Sequence, residues 1–119
     1  MSMGDDILLD EAIFFGLKDI VGEDMFQDFV QRFLVDCKDR VGRIESHHAN
    51  GDFKGIELEA HTLGTTAATY GAYSLEKLCR LIEYLPEDKR TDLPVLIEKL
   101  QLLSKRVIAK ACEVSGVAG

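Results

Sequence analysis

Between Phe26 and Ile44 the apolar residues Phe26, Phe29, Val30, Phe33, Leu34, Cys37, Val41 and Ile44 recur at steps of three and four. That spacing lays them along one face of an α-helix for about five turns. The pattern predicts a helix of roughly 25 residues, and one this long stays folded only if other elements cover its apolar face. The rest of the chain offers covers of the same period. A short first helix is expected from about Asp10, with Ile13, Phe14 and Leu17 on one side, and Gly22 separates it from the long helix. Asn50-Gly51-Asp52 ends the long helix, since Asn and Gly suit a C-cap and Asp52 can cap the next helix. A third helix, Phe53 to Tyr70, carries the stripe Ile56, Ala60, Leu63, Ala67. Gly71 breaks it, and a fourth helix starting at Gly71 or Ser74 turns Leu75, Leu78, Cys79, Ile82 and Leu85 inward until Pro86 stops it. Thr91 or Asp92 is expected to cap the last helix. Its stripe is Leu96, Leu100, Leu103, Val107, Ala111 and Val114, with Pro94 in its first turn.

No segment alternates as a strand does, none repeats, and none is of low complexity. Four long amphipathic helices with short connections predict an all-α, antiparallel up-down four-helix bundle with a short additional N-terminal helix. The 119 residues are read as one domain, 1–119, with the small-residue tail 115–119 frayed. Hydrophobic residues make up 46% of the chain, enough to fill such a core.

Charge then narrows the partners. Lys and Arg number 14 against 21 Asp and Glu, a net of -7. That balance argues against nucleic acid or an anionic membrane surface as the main partner. No apolar run approaches the ~18 residues of a membrane span, and Met1 to Asp6 lacks the basic and apolar regions of a signal peptide. Cys37, Cys79 and Cys112 are odd in number, widely spaced and outside any C-x-x-C pair. They are read as buried small hydrophobes in a reducing cytoplasm, not as disulfide partners or zinc ligands. A self-contained acidic bundle is expected to be a monomer. Met1 and the full set of helices are read as an independent protein rather than a piece of a larger sensor kinase.

The third helix carries the chemistry. At 100° per residue, His61 falls roughly 120° from the direction of the Ile56–Ala60–Leu63–Ala67 stripe, on the solvent side. One turn on stand Gly64, Thr65 and Ala68, all small, so the imidazole is expected on an uncluttered patch. A glycine inside a helix, with no turn to make, points to close approach by another group. His47 and His48, which end the second helix beside Asn50 and Asp52, invite a metal reading. Adjacent residues on a helix point about 100° apart, however, and no metal site is expected.

The run Ala60-His61-Thr62-Leu63-Gly64-Thr65-Thr66-Ala67-Ala68-Thr69-Tyr70-Gly71-Ala72, followed by Leu75, Cys79 and Ile82-Glu83, resembles a histidine-containing phosphotransfer (HPt) domain of the two-component phosphorelays. The family pattern has Ala-His, an apolar residue two positions on, small residues next, and Gly-Ala ten and eleven positions after the His. Here these are Ala60, His61, Leu63, Thr66, Ala67, Gly71 and Ala72. Asn50-Gly51-Asp52, Leu9-Asp10, and Val21-Gly22 before Phe33-Leu34 also look like the family, so the resemblance covers nearly the whole chain. It departs where the family usually carries Lys at the third position after the His and Gly at the fourth; here these are Gly64 and Thr65.

The resemblance implies a phosphoryl group carried on His61 between aspartates of response-regulator receiver domains, with receivers and a hybrid histidine kinase as partners. The alternative is an HPt-like interaction module that binds a receiver or kinase without being phosphorylated. No cofactor is expected in the chain itself, Mg²⁺ being expected in the partner receiver. No ATP site or autokinase activity is expected either, since no Gly-rich phosphate loop is present. Family usage makes Glu83, 22 positions after His61, the candidate to orient the imidazole; the alternative is a solvated helix-face Glu paired with Arg80 or Lys77, or with nothing. Arg80 is a candidate phosphate contact in place of the missing Lys, and an ordinary i,i+4 pair with Glu76 is its simpler reading. Gly64, Thr65 and Ala68 are the expected docking patch.

Overall fold

The computed structural model describes residues 7–118. Five α-helices follow one another: α1 (Glu11–Val21), α2 (Glu23–Ala49), α3 (Phe53–Thr69), α4 (Tyr73–Glu83) and α5 (Leu93–Ser115), with a 3₁₀ segment, Glu87–Asp92, before the last. Among the described residues there is no strand. Helices α2 and α4 each pack on both α3 and α5, which closes α2, α3, α4 and α5 into a ring, and α1 lies against α2; α4, expected to be long, has 11 residues, as many as α1. The short connections make chain neighbours antiparallel.

The predicted stripes are what the bundle buries. Phe26, Val30, Phe33, Leu34, Cys37, Val41 and Ile44 of α2 meet Ile56, Ala60, Leu63 and Ala67 of α3. Leu75, Cys79 and Ile82 of α4, with Leu93, Leu96, Ile97, Leu100, Val107 and Ala111 of α5, complete the interior. Phe29, Leu78, Leu85, Leu103 and Val114 are only partly buried, and Ile13 is exposed while its neighbour Phe14 is fully covered. Phe14 sets its ring edge-on to Phe26 with centroids 5.2 Å apart, so α1 seals one end of the bundle.

Capping explains most boundaries. The Asp10 carboxylate accepts from the backbone N–H of Ala12 and Ile13 to start α1, and Asp52 does the same for Gly55 at the start of α3. Gly71 adopts φ +80°, and a Cβ there would stand 2.9 Å from the Asp10 carbonyl oxygen, whose own backbone N–H donates to Gly71 O. Only glycine allows that crossing. Next to it, Tyr70 stacks on Phe33 at 4.5 Å and donates its hydroxyl to Phe29 O, pinning the end of α3 to α2.

The termini of the last two helices differ from expectation. Helix α4 begins at Tyr73, between the two expected starts Gly71 and Ser74, with Ala72 at its N-cap position. The Ser74 hydroxyl donates to Ile7 O. Helix α5 has no side-chain cap from Thr91 or Asp92, because the 3₁₀ segment runs directly into it and Asp92 is already helical. The small-residue tail overlaps the end of the last helix. Ser115 is the last residue of α5, Gly116 closes it in the left-handed conformation, and Val117 packs against the core. Gly119 lies outside the described residues.

Candidate functional site

Small residues build the site. Ala60, Gly64 and Ala67 lie buried on the inner side of α3, which lets the helix pack tightly in the bundle. The same register turns His61 outward, with 56% of its side chain exposed. Its Nδ1 lies 2.7 Å from Glu83 Oε2, and Nε2 makes no protein hydrogen bond among the described residues. An imidazole whose Nδ1–H donates to a carboxylate keeps its lone pair on Nε2 and presents it to solvent.

Glu83 is the last residue of α4, where the helix dipole disfavours a carboxylate, and only 11% of its side chain is exposed. Burial alone would raise its pKa. The hydrogen bonds and charges of His61 and Arg80 outweigh that effect and hold the carboxyl below its ordinary range. Arg80 is the second partner, with Nη1 3.0 Å from Glu83 Oε1. The same Nη1 donates to the His61 carbonyl at 3.1 Å, and Nη2 donates to Thr65 Oγ1 at 3.3 Å. The Thr65 hydroxyl in turn donates back to His61 O. The result is a closed set of four side chains, His61, Glu83, Arg80 and Thr65, bridging α3 and α4.

Of the open readings of Glu83, the structure therefore has it bonded to both His61 and Arg80, while Lys77 is exposed and apart. The plain Glu76–Arg80 pair is present, with the closer Glu83 pairing beside it. Arg80 lies 3.7 Å from Glu76 Oε2, farther than from Glu83. The docking patch is corrected at one residue: Thr65 is exposed and Ala68 half-buried, whereas Gly64 is buried beneath the Arg80 guanidinium.

Two residues escaped the sequence reading. Leu58 and Tyr84 are 65% and 71% exposed. With His61, Glu83 and Lys54 they line an open groove of about 760 Å³ on the α3–α4 face. Their signal was legible, since both are large apolar residues lying off the buried stripes.

The other candidate groups sit elsewhere. His47 Nδ1 is 3.2 Å from Asp52 Oδ2 at the α2–α3 turn. Among the described residues no cluster of His, Cys, Asp and Glu is arranged to hold a metal ion. Burial pushes the Cys37 and Cys79 thiols up to about 12, so neither is a ready nucleophile. No helix among the described residues is long and apolar enough to cross a membrane.

The described residues thus form a helical bundle that exposes a carboxylate-anchored imidazole at His61. The Hpt domain model matches residues 28–110, and the chain belongs to that family of histidine phosphotransfer domains, which act in phosphorelays with receiver and kinase partners. Its fold is also that of the crystal structure of histidine-containing phosphotransfer protein B from Pseudomonas aeruginosa. The two superpose with a TM-score of 0.86 over 93% of this chain and 96% of that one, at 20% sequence identity, a likeness of fold. No curated protein matches the chain in sequence.

Proposed function

We propose that the protein carries a phosphoryl group on His61 Nε2, exchanging it with the phospho-accepting aspartate of receiver domains. In the accepting step the Nε2 lone pair attacks phosphorus, an N–P bond forms, and the P–O bond to the aspartyl carboxylate breaks with its electron pair leaving on that carboxylate. The Nδ1 proton stays in place. The ring gains positive charge as the N–P bond forms, and the Glu83 carboxylate 2.7 Å away is placed to stabilise it. Return transfer reverses each step. Phosphoryl transfer asks mainly for positioning and electrostatics, so a rigid carrier suffices and the Mg²⁺ is left to the receiver. The groove lined by Leu58 and Tyr84, with Thr65 and Ala68 on the far side of the imidazole, gives a receiver a surface to cover while it brings its aspartate to Nε2.

The observation that carries this reading is the His61–Glu83 bond: it fixes one ring nitrogen and frees the other on an exposed surface. Incubation with a phosphorylated receiver tests it. The expected result is label on this chain that is labile to acid, as a phosphoramidate is, and absent from His61→Gln. A wild-type chain that binds receivers but takes up no label from any of them would instead establish the interaction-module alternative.

A further inference from the structure

Gly64 lies in the interior of α3, where glycine weakens a helix relative to alanine. A Cβ built there would stand 2.9 Å from Arg80 Nη1, 3.0 Å from Arg80 Cζ and 3.2 Å from Cys79 Cβ. The space a side chain would take is thus filled by a guanidinium from the next helix. Of the other helical glycines, Gly16 and Gly42 have nothing within 4 Å of the same position, while Gly55, in the first turn of α3, is closely met by His47 and Asp52; at Gly64 alone of the four is the occupant a cation from the next helix.

Taking His61 as the phosphoryl acceptor, the geometry points to Arg80 as the positioning residue of the transfer and to Gly64 as the residue that admits it. Lodged over Gly64, the guanidinium binds Glu83 Oε1 and so presents Oε2 to His61 Nδ1. Its bonds to His61 O and Thr65 Oγ1 tie that arrangement to the backbone turn that bears the imidazole. It also balances charge. A phosphoryl group brings about two negative charges onto a ring that already faces a carboxylate. Without Arg80, that carboxylate at the C-terminus of α4 would repel the incoming group and have no guanidinium to hold it. A lysine at position 64, the residue the family pattern leads one to expect there, would need the volume the guanidinium occupies.

The test compares wild type with Gly64→Ala, Arg80→Ala and Arg80→Lys, with a thermal midpoint for each to confirm folding. One readout is independent of phosphorylation: the ¹⁵N spectrum of the His61 imidazole, which reports the fraction carrying the proton on Nδ1. The other is the initial rate of transfer from a phosphorylated receiver. Arg80→Ala should lower the Nδ1–H fraction and slow transfer roughly tenfold, as loss of one charge-assisted hydrogen bond would. Arg80→Lys should restore part of both. Gly64→Ala should shift the spectrum in the same direction as Arg80→Ala, although it removes no polar group. An unchanged tautomer population in Arg80→Ala overturns the inference whatever the rate does. A wild-type chain that accepts no phosphoryl group overturns the carrier reading, and the tautomer arm still decides whether Arg80 and Gly64 position the ring.

Discussion

Helix α3 takes part in two charge clusters, one centred on its own Glu59 and one on Glu83 of α4, carboxylates of nearly equal burial. Toward α2, Glu59 is 12% exposed and lies 2.8 Å from Arg40 and 3.2 Å from Arg43, with Asp36 behind Arg40 at 3.0 Å. Toward α4, Glu83 is 11% exposed and lies between Arg80 at 3.0 Å and His61 at 2.7 Å. In the first cluster every charge is met by one of opposite sign, and no partner keeps an unused nucleophilic lone pair. In the second, one guanidinium is replaced by an imidazole, which has a second nitrogen. The same clasp thereby becomes a mount for a nucleophile. The contrast teaches that a partly buried ion pair is by itself no sign of function, and that the chemistry comes from which partner keeps an unused lone pair.

Substitutions can break this comparison at either end. The largest effect is expected at His61. His61→Gln should reduce phosphoryl uptake to background while moving the unfolding free energy by no more than about 0.5 kcal/mol, since the side chain is mostly exposed; label retention alongside denaturant melts checks both halves. Glu83→Gln should follow, slowing transfer roughly ten- to a hundredfold through loss of a charge-assisted hydrogen bond, as measured by single-turnover transfer. Glu59→Gln is the control on the other side. It should cost about 1 kcal/mol of stability by removing the shared partner of Arg40 and Arg43, with the transfer rate unchanged. A slowed transfer in that variant would mean that the two clusters are coupled through α3.

The smallest effect is a pH dependence. The carboxyl of Glu83 is held below its ordinary range in the folded state, so its contribution to stability is fully present above the unfolded value of about 4.3 and is lost as pH falls through the lowered folded value. The stability difference between wild type and Glu83→Gln, followed by denaturation midpoints from pH 7 down to pH 3, should therefore shrink at the acid end. A difference that grows there would reverse the sign of this argument.

Much of the fold is legible in the sequence. The three-four spacing from Phe26 to Ile44 dictated the long helix, Asn50-Gly51-Asp52 its end, and the angle between His61 and the Ala60–Leu63 stripe placed the imidazole outside the core. The 3₁₀ segment Glu87–Asp92 was hidden because its charged residues have no apolar period and lie between two prolines, each of which already accounted for a helix end. Gly64 was legible as a point of close approach, which the Arg80 guanidinium makes, but its placement in an exposed patch failed for a geometric reason. It sits roughly 70° from the centre of the α3 stripe, at its edge, where exposure depends on what the next helix lays over it. Arg80 was undervalued for the same reason. Within α4 its only visible acid one turn back is Glu76, whereas the contacts that define it, to His61 O and Thr65, cross between helices. Periodicity reports on a residue's own helix, and the site is made where two helices meet.

The central claim is that Glu83 holds Nδ1 of His61 and leaves Nε2 to take the phosphoryl group. Nitrogen-15 and phosphorus-31 NMR of the phosphorylated protein tests it most directly, because the phosphorus coupling identifies the bonded nitrogen and the remaining ring proton reports its partner. The account predicts one N–P bond, at His61 Nε2, with the proton retained on Nδ1. Phosphorus on Nδ1, or on any residue other than His61, would contradict it.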